Sequence, residues 1–128
     1  MNPPRRRRRL LLAFPAVGYA ALILFLSSRP ASSLPSTGVP SGDKWLHLVE
    51  YFLFGVLLLW PVRDFGMRGQ ALVVAVGASY AAFDEAFQTT VPGRHGDPAD
   101  FAIDLVGLLL ALTVRLAWRI APAAAKTR

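Results

Sequence analysis

Four runs of mostly apolar residues follow one another along the chain, at residues 10–28, 45–62, 70–88 and 101–118. A helix that spans the hydrocarbon core of a bilayer needs roughly 20 such residues, so the pattern predicts four transmembrane helices. The first run carries no charge and contains Pro15, which spanning helices tolerate when neighbours satisfy the freed carbonyl. The second holds only His47 and Glu50 near its start and is closed by Pro61, the third is apolar until Asp84, and the fourth is interrupted by Asp104 and Arg115. Between them, residues 29–42 carry Pro30, Pro35 and Pro40 among serines and glycines, the composition of an extended loop. Residues 63–69 read as a short polar turn with two arginines, and residues 89–97 contain Val91-Pro92-Gly93, which suits a tight turn with proline second and glycine third. The expected organisation is a basic N-terminus at 1–9, a four-helix membrane domain at 10–120 and a short tail at 121–128.

Composition agrees with this class. The chain is 54% hydrophobic and 17% charged, against about 45–50% and about 25% in ordinary soluble domains. The absence of cysteine from the sequence removes a disulfide scaffold, a thiolate metal site and a cysteine nucleophile. The net charge of +6 would point to nucleic acid were it spread over a surface, but residues 5–9 are all arginine and stand directly before the first apolar run. Such a run is read as a signal peptide when the apolar core is about 7–15 residues long. Here the core is longer, so the first helix is expected to be retained. With the N-terminus inside, eleven of the fourteen lysines and arginines fall on the cytoplasmic side and only Arg29, Lys44 and Arg94 outside. This positive-inside bias predicts both termini in the cytoplasm. Membrane lipids then account for the basic run, and no nucleic-acid partner is expected.

The acids have the opposite distribution. Asp43, Glu50, Asp84, Glu85, Asp97, Asp100 and Asp104 all fall at the outer ends of the last three helices or in the loop joining the third and fourth, with Asp64 alone inside. Lys44, Arg94 and both histidines, His47 and His95, share that outer side. Helical spacing sharpens the convergence. Lys44, His47, Tyr51 and Gly55 recur at three and four residues, as do Tyr80, Asp84 and Gln88, and Asp97, Asp100, Asp104, Gly107 and Ala111, so each set shares one face. Glu85 lies about 100° around the helix from Asp84. Gly77, Ala81, Gly107 and Ala111 are the expected close contacts between helices. Capping explains part of the pattern: Asp43 can cap the second helix, and Asp97-Pro98-Ala99-Asp100 is a good helix start. Tyr51, Tyr80, Trp45, Trp60 and Trp118 can serve instead as interfacial aromatics. Capping does not explain His47, Asp84, Glu85 or Asp104, and ionisable groups within spanning segments are costly enough to mark function.

Three blocks of this sequence, Asp43-Lys44-x-x-His47-x-x-x-Tyr51, Asp84-Glu85-x-x-Gln88-x-x-Val91-Pro92-Gly93-Arg94 and Asp100-x-x-x-Asp104-x-x-Gly107, resemble in order and spacing the VanZ-like family of small bacterial integral membrane proteins. That family is named after a member giving low-level teicoplanin resistance. Asp104 stands where the family often has Asn, Asp97 where a small polar residue is common, and Ala111 where a second Gly is frequent. The resemblance implies a cell-envelope protein and makes glycopeptide tolerance an expectation.

The expected fold is therefore all-α, a four-helix transmembrane bundle with a polar cluster at its extracytoplasmic end. Lys44, His47, Tyr51, Asp84, Glu85, Gln88, Arg94, Asp100 and Asp104 are the candidate ligand-binding residues. In the first reading they bind an envelope ligand: a peptidoglycan precursor, a lipid head group or a glycopeptide antibiotic. Arg94, Lys44 and His47 would then hold phosphate or carboxylate. In the second the chain is a membrane-embedded hydrolase or transferase acting on a lipid-linked substrate, with His47, Asp84 and Glu85 as catalytic candidates. A divalent metal is an open alternative there, with His47, Glu85 and Asp104 as its candidate ligands. No H-E-x-x-H, G-x-S-x-G or Walker pattern is present in the sequence to choose between these. In the third the polar layer only satisfies itself and the bundle is structural.

Overall fold

The computed structural model describes residues 3–33 and 42–125, and among them there are helices and no strands. Helix α1 runs Pro3–Ser27, α2 Gly42–Leu59, α3 Met67–Gln88 and α4 Pro98–Ala125, with a 3-10 turn at Ala31–Ser33. The arginine run continues α1 outward from its apolar stretch, and Pro15 sits inside that helix without ending it. Arg68 belongs to the first turn of α3 rather than to the connection before it. Helix α4 continues past Trp118, where the apolar pattern stops, to Ala125. Most of the proline-rich segment predicted to be extended, 34–41, and the end of the predicted tail, 126–128, lie outside the described residues.

Side-chain contacts at the two ends set the helices up and down alternately. At one end Lys44 of α2 meets Asp100 of α4, and Gln88 of α3 meets Ser27 of α1. At the other end Arg115 donates to the Arg63 carbonyl at 2.8 Å and Arg119 to the Phe65 carbonyl at 3.2 Å. Gln70 also donates to the Phe65 carbonyl, and the Arg9 guanidinium lies 4.6 Å from the Phe65 ring centre. These donors satisfy carbonyls that the turn between α2 and α3 leaves without helical partners. Helices α2 and α4 are consequently parallel, and theirs is the most extensive contact in the fold.

Small residues bring those two helices together. A Cβ on Gly107 would lie 2.8 Å from both the Leu48 carbonyl oxygen and the Phe52 amide nitrogen, and one on Gly55 would lie 2.7 Å from the Ala111 Cβ. Gly77 of α3 packs against Leu108 and Leu58, and Ala81 is fully buried. Around these contacts Ile23, Tyr51, Phe54, Ala81 and Leu108 form the apolar core. Tyr51 is completely buried and meets Phe54 edge-on at 5.9 Å, so it is a core aromatic and not an interfacial one. Trp45, Trp60 and Trp118 all face outward.

Polar groups are buried beside the apolar core while many large apolar side chains face outward. Asp104, Asp84 and Gln70 are buried to within 1% of completely, while Phe14 of α1 is 76% exposed and Trp118 of α4 is 73% exposed. Exposed apolar side chains occur on all four helices, far more than a soluble monomer leaves in contiguous patches. Two segments, Arg7–Ser27 and Pro98–Arg119, are long and apolar enough to cross a membrane. Helix α2 carries Asp43, Lys44 and Glu50, and α3 carries Arg68, Asp84 and Glu85, which lowers the apolarity of both.

Backbone contact at Gly107 leaves no flexible side chain to yield to an added methyl group. Gly107→Ala should therefore cost about 1–3 kcal/mol, seen as a lower melting temperature of the detergent-purified protein. Gly18→Ala, where nothing lies within 4 Å of the added carbon, should melt like the wild type.

Candidate functional site

The two polar stripes on α2 and α4 face each other in register. Lys44 donates to Asp100 at 2.8 Å and to Asp97 at 3.1 Å. One turn further in, His47 Nδ1 lies 3.0 Å from Asp104 Oδ1, and its Nε2 lies 3.7 Å from Asp100 Oδ2. Below that, the Tyr51 backbone lies against Gly107, and Gly55 meets Ala111. The same parallel approach that the small residues permit thus stacks the ion pairs above them.

The loop before α4 is built as the turn residues dictate. The Arg94 amide donates to the Val91 carbonyl at 3.1 Å, and Gly93 takes a φ of 74°, a conformation that suits glycine at the third position of such a turn. Asp97 accepts the Ala99 amide at 2.8 Å and so caps α4 while also holding Lys44. The Ala99 amide and then the Lys44 ammonium keep the Asp97 carboxyl below the usual range. In return, hydrogen bonds to Asp100 and Asp97 push the Lys44 ammonium up.

Helix α3 shares its stripe between α2 and α1, with the Tyr80 ring 5.3 Å from that of Phe54. Tyr80 donates to the Ala20 carbonyl at 2.6 Å, and Gln88 donates to Ser27 Oγ at 3.3 Å, both on α1. Gln88 also donates to Asp84 Oδ2 at 3.2 Å. Glu85, one position off that stripe, is the residue that reaches the start of α4: its Oε2 accepts the Asp97 amide at 2.9 Å. One ligand atom each from His47, Glu85 and Asp100 lies within 4.8 Å of the others. That grouping has Asp100 where the sequence suggests Asp104, because Asp104 is engaged on the other ring nitrogen of His47.

Several polar atoms in the layer have no hydrogen-bond partner among the described residues. They are Tyr51 Oη, Asp84 Oδ1, Glu85 Oε1 and Asp104 Oδ2, all buried. Arg94 is half-buried, and among the described residues its guanidinium makes no hydrogen bond or ion pair. His95 and Asp43 are exposed. Ser27 is the buried member of the layer that the sequence reading misses. Its signal was the polar pair Ser27-Ser28 at the outer end of the first apolar run. A cavity of about 380 Å³ lies at the opposite end of the molecule, lined by Arg8, Arg9, Leu12, Pro61, Arg63 and Asp64.

The VanZ/LLP1 family model matches residues 11–119. No curated protein and no solved structure matches the chain. The matched span takes in α2 and α3 whole, most of α1 and α4, and every residue of the layer between Lys44 and Asp104, and the chain therefore belongs to the VanZ/LLP1 family.

Proposed function

We propose that this chain is a multi-pass protein of the bacterial cytoplasmic membrane, crossing it four times with both termini inside. In this reading the layer at the outer ends of α2, α3 and α4 binds a ligand of the cell envelope. The up-and-down helix order, the exposed apolar side chains and the outward tryptophans support four spans. The three arginines around the inner cavity support the orientation, since a basic pocket there suits anionic cytoplasmic lipids. In that orientation a periplasm-active reporter fused after Arg94 is active and one fused after Arg119 is silent; the reverse pattern would remove the outer-facing site.

The observation that carries ligand binding is the open hydrogen-bond account of the layer. A self-satisfied structural layer pairs its buried groups, because each one left unmade costs about 1–3 kcal/mol. Here four buried oxygens lack partners among the described residues, and all four lie on the residues that form the layer. Lys44 and His47 are already engaged by acids, so they are poor candidates for holding an anion. Arg94 takes that role: it follows a stiff Pro-Gly turn and has no structural partner among the described residues. Its planar fork suits the phosphate of a peptidoglycan precursor or lipid head group, or the carboxylate of a glycopeptide antibiotic. Glycopeptide tolerance would follow if the antibiotic, or the precursor it sequesters, is what binds.

A second reading rests on the His47–Asp104 contact. A histidine oriented by a buried carboxylate is the arrangement of a general base, which would make the chain a hydrolase or transferase for a lipid-linked substrate. Turnover of a radiolabelled undecaprenyl-pyrophosphate-linked precursor by the purified protein would separate it from pure binding.

Because the Arg94 guanidinium makes no hydrogen bond or close ion pair among the described residues, it is a cleaner probe of function than His47, whose removal would strand the buried Asp104 carboxylate. Arg94→Lys keeps the charge and loses the fork. It should weaken binding of an undecaprenyl-pyrophosphate probe, read by native mass spectrometry, by about tenfold or more, with melting temperature unchanged. Equal binding by wild type and Arg94→Lys would remove Arg94 as the anchor.

A further inference from the structure

Three side chains at the centre of the layer are each fixed by one of their polar atoms and keep another free. The His47 Nδ1 is engaged by Asp104 at 3.0 Å, which leaves Nε2 3.7 Å from the nearest Asp100 oxygen and beyond hydrogen-bond reach. Asp100 has Oδ1 on Lys44 at 2.8 Å, which leaves Oδ2. Glu85 has Oε2 on the Asp97 amide at 2.9 Å, which leaves Oε1 buried without a partner among the described residues. Glu85 as a whole is only 8% exposed. A buried carboxylate oxygen with no donor is costly to leave so, and the carboxylate that carries it belongs to a close group with His47 and Asp100. One ligand atom from each of the three residues falls within 4.8 Å of the others.

From this juxtaposition we propose that His47, Glu85 and Asp100 hold one divalent transition cation of the zinc or manganese class. Asp104 is its positioning residue. A carboxylate on the far nitrogen of a ligating histidine is the usual outer-shell arrangement: it sets the tautomer so that Nε2 carries the lone pair, and it stiffens the ring. Lys44 and the Asp97 amide do the same for Asp100 and Glu85. Two carboxylates and a neutral imidazole supply the charge of −2 that a divalent ion needs, and one nitrogen with two oxygens excludes the thiolate-loving metals. Ligand atoms about a tetrahedral zinc stand about 3.4 Å apart, so the His47–Asp100 spacing is already close. Three protein ligands leave a coordination position open for an anionic group. The metal would thus bind the phosphate or carboxylate of the envelope ligand from one side while Arg94 holds it from another. That last role rests on the ligand-binding reading above; the metal site itself does not.

The test uses the full chain, purified in detergent with its affinity tag removed, stripped with EDTA and titrated calorimetrically with zinc chloride and with manganese chloride. Wild type should take up about one equivalent of at least one of the two ions and melt at a higher temperature with it. Glu85→Gln and Asp100→Asn should lose about a hundredfold or more in affinity, and Asp104→Asn about 10–100-fold. In each variant the melting gain on adding metal should shrink, so a merely unstable apo-protein is recognised by its own baseline. X-ray absorption of the loaded wild type should show a single imidazole with oxygen neighbours. No stoichiometric uptake by wild type overturns the proposal, as does uptake that Glu85→Gln and Asp100→Asn leave unchanged. The two readings of the layer fail separately. Binding of the undecaprenyl-pyrophosphate probe by metal-free protein that takes up no ion overturns the metal and keeps the ligand site. One equivalent of metal without any binding of the probe does the reverse for that ligand.

Discussion

The close parallel approach of α2 and α4 is the contact on which the rest of the structure depends. Gly107 allows it, since any side chain there would meet the α2 backbone at Leu48 and Phe52. Gly55 against Ala111 extends it by two turns. In lipid there is little hydrophobic gain in bringing two apolar helices together, so association relies on tight packing and on polar contacts between the helices. Here the two are combined on one seam. Small residues set the distance in its lower half, and that distance puts Lys44 within reach of Asp97 and Asp100, and His47 within reach of Asp104. Ala111 is met from the other side by Gly55, whose lack of a side chain provides the space.

The upper half of the seam is acidic beyond what its cations offset. Lys44 and His47 face Asp97, Asp100 and Asp104 from α2, and α3 adds Glu85 and Asp84 from its own side. A buried ion pair stabilises only when its remaining lone pairs are also satisfied. Tyr51, Asp84, Glu85 and Asp104 each keep an atom that is not. An arrangement of this kind is costly as architecture, since its two paired cations leave these atoms unsatisfied among the described residues. The same reasoning connects the envelope ligand and the cation, since a metal in the layer would supply the missing charge and present it to an anionic group.

At the other end, where Gln70 Oε1 and Arg115 Nε are also buried without a partner among the described residues, the side chains bond the backbone. Arg115, Arg119 and Gln70 hand their donors to the backbone carbonyls of Arg63 and Phe65, so cations there stabilise a turn. In the sequence their charges act as expected markers of the cytoplasmic side. Both uses are compatible, because a long arginine side chain can reach a carbonyl of the turn from the last turns of α4 while staying near the membrane surface.

The length of the apolar runs was enough to give four helices and their order, and helical spacing gave the faces carrying Lys44–His47–Tyr51–Gly55 and Asp97–Asp100–Asp104–Gly107–Ala111. The Val91-Pro92-Gly93 turn and the Asp97 cap were also legible, because both are local and follow from the φ angle of glycine and the reach of a short carboxylate. Periodicity states which residues share a face of one helix; it does not state which helix that face meets, since rotation about the axis is decided by packing among all four. So the α3 stripe of Tyr80, Asp84 and Gln88 proved to contact α1 through Ala20 and Ser27, and off-stripe Glu85 became its link to α4. For the same reason Tyr51, which the pattern left between an interfacial aromatic and a site residue, was assigned to the core by the closeness of α2 and α4. Asp100 replaced Asp104 in the group around His47 because only the folded helices decide which ring nitrogen each carboxylate reaches.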